Sequence, residues 1–205
     1  MANLLAGGAP LQAARAAAIL LHGRGGSADD ILGLGTEFGH ADIAYLAPQA
    51  ANNTWYPYSF LAPLAQNEPH LGNALAIVGA AFDHLAHEGF APERVALIGF
   101  SQGGCLGLEY VARNARRYGG VAGLSAGLIG PPGTPRSYPG SLGGTPVFLG
   151  CSDVDGHVPL ARVHESRDVL GKLGAEVDER IYPRMGHTVN ADEVAAVAAL
   201  LKQIR

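Results

Sequence analysis

The sequence predicts an α/β domain, with a mostly parallel sheet of about six or seven strands and helices on both faces. Short runs of aliphatic and β-branched residues recur along the chain, and stretches with a helical apolar period separate them. Such near-continuous apolar runs are typical of parallel strands that are covered on both sides. The length of 205 residues suits one domain, so we expect residues 1–205 to fold as a single unit without a separate lid domain.

Six strands and five helices follow from this alternation. The predicted strands cover residues 16–22, 42–48, 94–100, 120–125, 146–151 and 175–183. The predicted helices cover residues 27–39, 71–88, 102–118, a stretch from Pro159 to Gly171, and a last stretch from Asn190 to the end of the chain. Ser27 is expected to cap the first helix, and Asn190 with Glu193 has the spacing of a capping box. Residues 49–69 and 127–145 do not join the alternation, and long loops of this kind often form the walls of binding sites.

Composition and charge exclude several classes of protein. With 48% hydrophobic residues, 16% charged residues and a net charge of −4, the chain resembles neither a disordered protein nor a basic nucleic-acid binder. The segment before Arg15 carries no positive charge, which argues against a secretory signal and favours the cytoplasm. The longest uncharged run, residues 118–135, is broken by Gly and Pro, so no membrane span is expected. The two cysteines, Cys105 and Cys151, are expected to be reduced thiols, and no metal site is expected.

Two serines lie in a G-x-S-x-G pattern, and their context distinguishes them. GFSQG surrounds Ser101 and GLSAG surrounds Ser125. A nucleophile elbow needs a strand, a sharp turn that glycines tolerate, and then a helix. The strand 94–100 and the helix 102–118 give Ser101 this context, whereas Ser125 runs into AGLIGPPGTP, which cannot be helical. Ser101 is therefore the candidate nucleophile, and Ser125 is expected to be structural.

A serine nucleophile needs a histidine base and an acid that orients the histidine, in the chain order serine, acid, histidine. Asp153 and Asp155 follow the strand 146–151, and their two-residue separation leaves the choice between them open. His187, in RMGHTVN after the last strand, is the candidate base. Its rival His157 lies only two residues from Asp155 and is expected to be a pocket residue or to precede a helix, beside Val158.

The first predicted strand ends in LLHGRGG, which has the H-G-x-G form of an oxyanion loop. The expected oxyanion donors are the backbone N–H groups of Arg24 and Gln102. His22 and Gly23 of the same loop are counted as substrate contacts. An ordinary glycine turn is the alternative interpretation of this segment.

The motifs HGRGGS, GFSQGG, SDVDGHVP and MGH, in this order, resemble those of the bacterial phospholipase/carboxylesterase family of α/β-hydrolases, relatives of the acyl-protein thioesterases. The resemblance covers the chain from about residue 16 to its end. It implies the α/β-hydrolase fold and no cofactor, selects Asp155 rather than Asp153 as the acid, and supports Ser101 and His187. It also allows a homodimer. The thioesterases usually carry an acidic residue soon after H-G-x-G, whereas Gly26 and Ser27 stand here.

The surroundings of the site suggest a small pocket. Residues 52–69 contain a cluster of aromatic residues, which is expected to form a wall for the acyl or alcohol part of the substrate. The cluster consists of Trp55, Tyr56, Tyr58 and Phe60. These side chains could instead cap the core. The cationic side chain of Arg24 is expected either to pair with Asp29 or Asp30 or to favour substrates that carry a carboxylate.

These observations predict a serine carboxylesterase that hydrolyses small carboxylic esters, with short-chain acyl or aryl groups, through an acyl-enzyme. A lysophospholipase or acyl-thioesterase with the same triad is the alternative. A non-catalytic binding protein on a hydrolase fold is a more distant one. The expected partner is a small-molecule ester.

Overall fold

The computed structural model describes residues 4–205, and its core is one seven-stranded sheet with the order β1-β3-β2-β4-β5-β6-β7. β1 pairs with β3 in antiparallel orientation, and all the other neighbouring pairs are parallel. The strands are β1 (Leu4–Gly8), β2 (Ala16–Leu21), β3 (Ile43–Pro48), β4 (Val95–Phe100), β5 (Gly120–Leu124), β6 (Pro146–Ser152) and β7 (Glu176–Tyr182). All six predicted strands are confirmed to within one residue at each end.

β1 is the strand that the sequence analysis missed. Its sequence, LLAGG, is short and has two glycines, which are poor strand formers. It forms because the free edge of β3 offers it backbone partners from Ala44 to Pro48. The pairing covers an edge of the sheet that would otherwise expose unpaired N–H and C=O groups.

Between residues 4 and 205 the chain forms six α-helices, and five of them pack on the two faces of the sheet. The six helices are α1 (Ala28–Glu37), α2 (Leu64–Asn67), α3 (His70–His87), α4 (Gln102–Arg113), α5 (Leu160–Lys172) and α6 (Ala191–Gln203). The apolar residues of α3, α4 and α5 share one core cluster, and those of α1 and α6 share the other. Alternate residues of the buried strands enter the two clusters, as Ile19 and Leu20 of β2 do.

Helix boundaries follow local capping. Ser27 with Asp30, and Asn190 with Glu193, form complete capping boxes at the starts of α1 and α6, as the sequence predicts. The predicted helix 102–118 is too long, since α4 ends at Arg113. Asn114 leaves the helical conformation, and its side chain donates to the carbonyl of Tyr110. The carbonyl of Tyr110 also accepts the backbone N–H of Asn114, and the chain then turns toward β5.

The two long loops are anchored by buried polar groups. Arg162 of α5 donates to the carbonyls of Leu128 and Gly130, and the carboxylate of Glu109 accepts the N–H of Ile129. The N–H of Gly130 in turn donates to the carbonyl of Phe60, which joins the two loops. These contacts attach the loop 127–145 to α4, to α5 and to the other long loop.

Two further expectations concern the cysteines and the membrane. Cys105 and Cys151 are free and buried, and burial raises the pKa of each thiol to about 12, so both are protonated thiols at neutral pH. Within residues 4–205, none of the helices combines the length and the apolar character needed to cross a membrane.

Candidate active site

Ser101 lies on a strained turn between β4 and α4. Its φ is 53° and its ψ is −120°, a conformation that a residue with a side chain rarely adopts. Two backbone hydrogen bonds hold it there, from the Ser101 N–H to Leu124 O at 2.8 Å and from the Cys105 N–H to Ser101 O at 2.9 Å. The turn therefore presents the Ser101 side chain at the carboxyl edge of the sheet.

The glycines on either side of Ser101 are required by close backbone contacts. A methyl group at Gly103 would lie 2.3 Å from the carbonyl oxygen of Leu21, and one at Gly99 would lie 2.5 Å from the carbonyl oxygen of Gly103. α4 can approach β2 and β4 this closely only with glycine at both positions. The elbow interpretation of GFSQGG thus has a direct steric basis.

Ser101, His187 and Asp155 form a continuous chain of hydrogen bonds. The Ser101 Oγ lies 2.8 Å from His187 Nε2, and His187 Nδ1 lies 2.7 Å from Asp155 Oδ2. With the proton on Nδ1 donated to the carboxylate, Nε2 accepts the serine O–H. The three residues come from the ends of β4, β6 and β7, which meet at one edge of the parallel sheet.

The two candidate acids have different partners. Asp155 has a fully buried side chain, and its Oδ1 accepts the N–H groups of His157 and Val158 at 2.8 and 3.0 Å. Burial opposes ionisation of Asp155, but the bonds from His187 and from the two backbone N–H groups outweigh it and hold its pKa below the usual value. Asp153 instead accepts the N–H of Arg184 at 2.7 Å.

The rival residues are placed away from these roles. Ser125 is fully buried, and its Oγ donates to the carbonyl of Thr188 at 3.5 Å. The exposed ring of His157 packs on His187, with centroids 4.7 Å apart. Phe100, which the sequence analysis did not single out, packs on His187 as well, at 5.1 Å. It is the last residue of β4, and its place directly before the candidate nucleophile is the signal that could have identified it.

The H-G-x-G loop is held in one shape by His22. The His22 Nδ1–H donates to Gly23 O at 2.8 Å, and Nε2 accepts the N–H of Ala50 at 3.2 Å. Burial lowers the pKa of His22, which keeps the ring neutral in this arrangement. Within residues 4–205, the backbone N–H groups of Arg24 and Gln102 have no protein acceptor, as the proposed oxyanion donors require.

The side chains of Arg24 and Gln102 hold in place the loop of residues 52–69, which we call the aromatic loop. The Arg24 guanidinium donates to the carbonyls of Tyr56, Pro57 and Tyr58 at 2.7 to 3.0 Å. The Gln102 carboxamide accepts the N–H of Trp55 at 3.0 Å and donates to the Tyr56 carbonyl at 2.8 Å. Both residues that carry the candidate oxyanion amides are thus fixed to the same loop.

The expected pairing of Arg24 with Asp29 or Asp30 is wrong. Asp30 accepts the N–H and O–H of Ser27 in the α1 capping box. Arg24 makes no ion pair with Asp29 or with any other acidic group of residues 4–205. Its acceptors are backbone carbonyls more than thirty residues further along the chain.

A cavity of about 360 Å³ opens at Ser101, and we call it the Ser101 cavity. Five of the residues expected at the substrate line it, namely Tyr56, Tyr58, Phe60, His157 and Val158. Trp55 does not, because it is 4% exposed and its indole N–H donates to His22 O at 2.8 Å. His22 and Gly23 border a second groove on the other side of His187.

Comparisons with known proteins identify the family and the fold of the chain. The Phospholipase/Carboxylesterase family profile matches residues 8–204. A phospholipase/carboxylesterase structure from Dyadobacter fermentans is 42% identical, with a TM-score of 0.94 over 98% of this chain and 97% of that one. Carboxylesterase SOBER1 of Arabidopsis thaliana is 25% identical over 93% of this chain and 91% of its own length.

Acyl-protein thioesterase 1 of Gibberella zeae is 33% identical, but the match covers only 56% of this chain and 50% of the thioesterase. The chain thus aligns with about half the length of this relative. The sheet and helices have the α/β-hydrolase fold of the carboxylesterase structures. On the family match and the full-length structural similarity, the chain belongs to the phospholipase/carboxylesterase family.

Proposed function

We propose that the protein is a serine carboxylesterase that acts through an acyl-enzyme. The observation that carries the proposal is the hydrogen-bonded chain from Ser101 through His187 to Asp155. His187 takes the proton of Ser101 as its Oγ attacks the ester carbonyl, and then gives that proton to the leaving alcohol. Water, deprotonated by His187, then attacks the acyl-enzyme and releases the acid. Asp155 orients the imidazole and stabilises its protonated form.

The oxyanion of each tetrahedral intermediate is assigned to the N–H groups of Arg24 and Gln102. Gln102 follows the nucleophile at the start of α4, where the helix dipole also favours negative charge. Removing one such donor from a hydrolase typically costs about 3 kcal/mol of transition-state stabilisation. The side chains of Arg24 and Gln102 both bind the loop 52–69, which fixes the positions of the two residues whose backbone N–H groups are the proposed donors.

We assign a short-chain acyl or aryl group to the substrate, because the Ser101 cavity is small. Its volume of about 360 Å³ lies near the lower end of the range for small-molecule sites. The floor contains aromatic residues, and Phe60 is nearly buried there. A lysophospholipase or thioesterase activity on long chains needs a longer channel.

The thioesterase alternative is favoured by one observation, the 33% identity to the acyl-protein thioesterase over part of the chain. A comparison of kcat/KM for p-nitrophenyl esters from acetate to palmitate distinguishes a short-chain carboxylesterase from a thioesterase or lysophospholipase. We expect kcat/KM to be highest for the short acyl chains. A kcat/KM that rises continuously to palmitate would contradict the small-pocket assignment and favour the lipid or thioester activity.

Labelling by a fluorophosphonate tests whether the protein is a serine hydrolase or a non-catalytic binding protein. We expect the folded protein to be labelled at Ser101. Ser101→Ala should not be labelled, and Ser125→Ala is the matched control that should retain the label, because Ser125 is buried and has no contact with a base. A folded wild-type protein that takes up no label would favour the binding protein.

A further inference from the structure

A second groove lies beside His187, on the opposite side from the Ser101 cavity, and its volume is about 650 Å³. We call it the α1–α6 groove, because α1 forms one wall, and α6 with the loop before it forms the other. Its apolar lining consists of Ile31 and Leu34 on α1, Phe100 at the end of β4, and Val189, Ala191 and Val194 at α6. The triad chemistry described above does not use this space.

The groove exists because the two helices on this face of the sheet cover different strands. α1 packs on β1, β3 and β2, whereas α6 packs on β5 and β6. The end of β4 lies between them, so that Phe100 remains only half-buried at the floor. The wall residues on α1 run from Asp30 to Glu37. This stretch is about 10 Å long at the rise of an α-helix, which is enough for an extended alkyl chain or an aryl group.

His187 separates the groove from the Ser101 cavity. Its imidazole borders both spaces, and His157 and Phe100 pack against the ring from the cavity and from the groove. Ser101 borders the cavity but is not among the residues that line the groove. An acyl group bonded to Ser101 Oγ therefore has the cavity beside it, and the groove begins on the other side of His187.

We propose that the α1–α6 groove binds the leaving group of the ester, and that it selects an extended apolar alcohol, either alkyl or aryl. The proposal rests on the proposed esterase function. In the first step the bond from Ser101 Oγ to the acyl carbon forms and the bond from that carbon to the alcohol oxygen breaks. The proton that His187 took from Ser101 goes to the alcohol oxygen. The apolar part of the released alcohol lies against Phe100, Leu34 and Val194.

A series of acetate esters from methyl to hexyl tests the groove with the acyl group held constant. We expect kcat/KM of the wild type to rise by at least about tenfold from methyl to hexyl acetate, because the added methylenes leave water. Val194→Phe fills the groove from α6 and should remove most of this rise. Leu34→Phe narrows it from α1 and should do the same.

Ala195→Phe is the matched control, since it adds the same ring to an exposed position of α6 outside the groove. It should retain the preference for hexyl acetate. A wild type that shows no rise with alcohol length, or a Val194→Phe variant that changes the preference for acyl length instead, would overturn the assignment. A folded wild type that hydrolyses no ester at all would instead contradict the proposed esterase function, on which this assignment rests.

Alcoholysis gives a second measurement that needs no variant. An acetyl-enzyme formed from p-nitrophenyl acetate can be attacked by an added alcohol, which yields the acetate ester of that alcohol and frees Ser101. If the groove binds apolar alcohols, 1-hexanol should capture the acetyl group at least about tenfold more effectively per mole than methanol. Equal capture by the two alcohols would contradict the proposal, even if both groove variants failed to fold.

Discussion

Asp153 and Asp155 both follow β6, but their carboxylates accept hydrogen bonds from different donors. Asp155 Oδ2 accepts from His187 while Oδ1 accepts two backbone N–H groups, whereas Asp153 accepts only the N–H of Arg184 among the described residues. Cys151 adds a weak thiol contact, with its Sγ 3.8 Å from Asp155 Oδ2. The carboxylate of Asp155 is thus surrounded by donors, which keeps it ionised in a buried position.

Replacing each acid with asparagine tests this difference. We expect Asp155→Asn to lower kcat by about 10⁴-fold, because an amide in this position favours the wrong histidine tautomer. Asp153→Asn keeps an oxygen that can accept from Arg184, and it should change kcat by less than about tenfold. The measurement is kcat on a short-chain p-nitrophenyl ester. Equal losses in the two variants would show that the structural distinction has no catalytic meaning.

Glu193 is a second carboxyl with unusual surroundings. Its side chain is fully buried at the start of α6, where Oε2 accepts the N–H of Asn190 and Oε1 has no partner among the described residues. Burial raises its pKa from 4.5 to about 7. The folded protein therefore holds a proton there that the unfolded chain loses above about pH 4.5.

This difference makes stability depend on pH. The contribution of Glu193 is fully present below pH 4.5 and is lost as the pH rises through 7, so the free energy of unfolding should fall by about 3 kcal/mol relative to Glu193→Gln. Denaturant unfolding at several pH values measures it. Asp192→Asn is the control with the opposite sign, because the Tyr182 hydroxyl and Arg180 lower the pKa of Asp192. Parallel stability curves for wild type and Glu193→Gln would contradict the account.

At the scale of elements, the start of α4 shows how tightly the elbow is built. Gly103 approaches the backbone of β2, whereas Gly107, one turn further along the same helix, has only ordinary contacts. A methyl group at Gly107 would lie 3.5 Å from the side chain of Leu97. The two glycines therefore differ in what they contribute to the elbow, although both are buried.

Alanine substitutions at these two glycines should have opposite effects. Gly103→Ala forces α4 away from Leu21 and His22, and we expect it to destabilise the protein by about 1 to 3 kcal/mol and to lower kcat. Gly107→Ala should stabilise it by up to about 1 kcal/mol, since alanine is the better helix former. Thermal unfolding together with kcat measures both effects. A Gly103→Ala variant with wild-type stability and kcat would be incompatible with the observed packing.

Much of the fold could be predicted because buried parallel strands have continuous apolar runs, as in residues 16–21 and 95–100. β1 could not, because its pairing depends on the free edge of β3 and not on its own residues. The end of α4 was missed because the tail NARRY, residues 114–118, fits a helix as well as a turn. The type and order of the central strands and helices were therefore easier to predict than the edge strand of the sheet or the last residue of a helix.

For the whole molecule, the meeting of strand ends at one sheet edge made Ser101 and His187 predictable from the chain order of serine, acid and histidine, whereas the choice of Asp155 over Asp153 came from the family resemblance. The roles of Arg24 and Trp55 could not be predicted in the same way. Arg24 binds backbone carbonyls, which leave no pattern in the sequence, and an aromatic residue in a loop can equally well be a core residue or a pocket wall. The groove beside His187 required the positions of two helices that lie far apart in the chain.

The central claim is that Ser101 carries the acyl group during turnover. The most direct measurement is mass spectrometry of the protein quenched in acid during turnover of p-nitrophenyl acetate, followed by peptide mapping. We expect one added acetyl group on the peptide that contains Ser101 in the wild type, and none in Ser101→Ala. Steady hydrolysis that continues in Ser101→Ala, or an acetyl group that maps to another residue, would contradict the account.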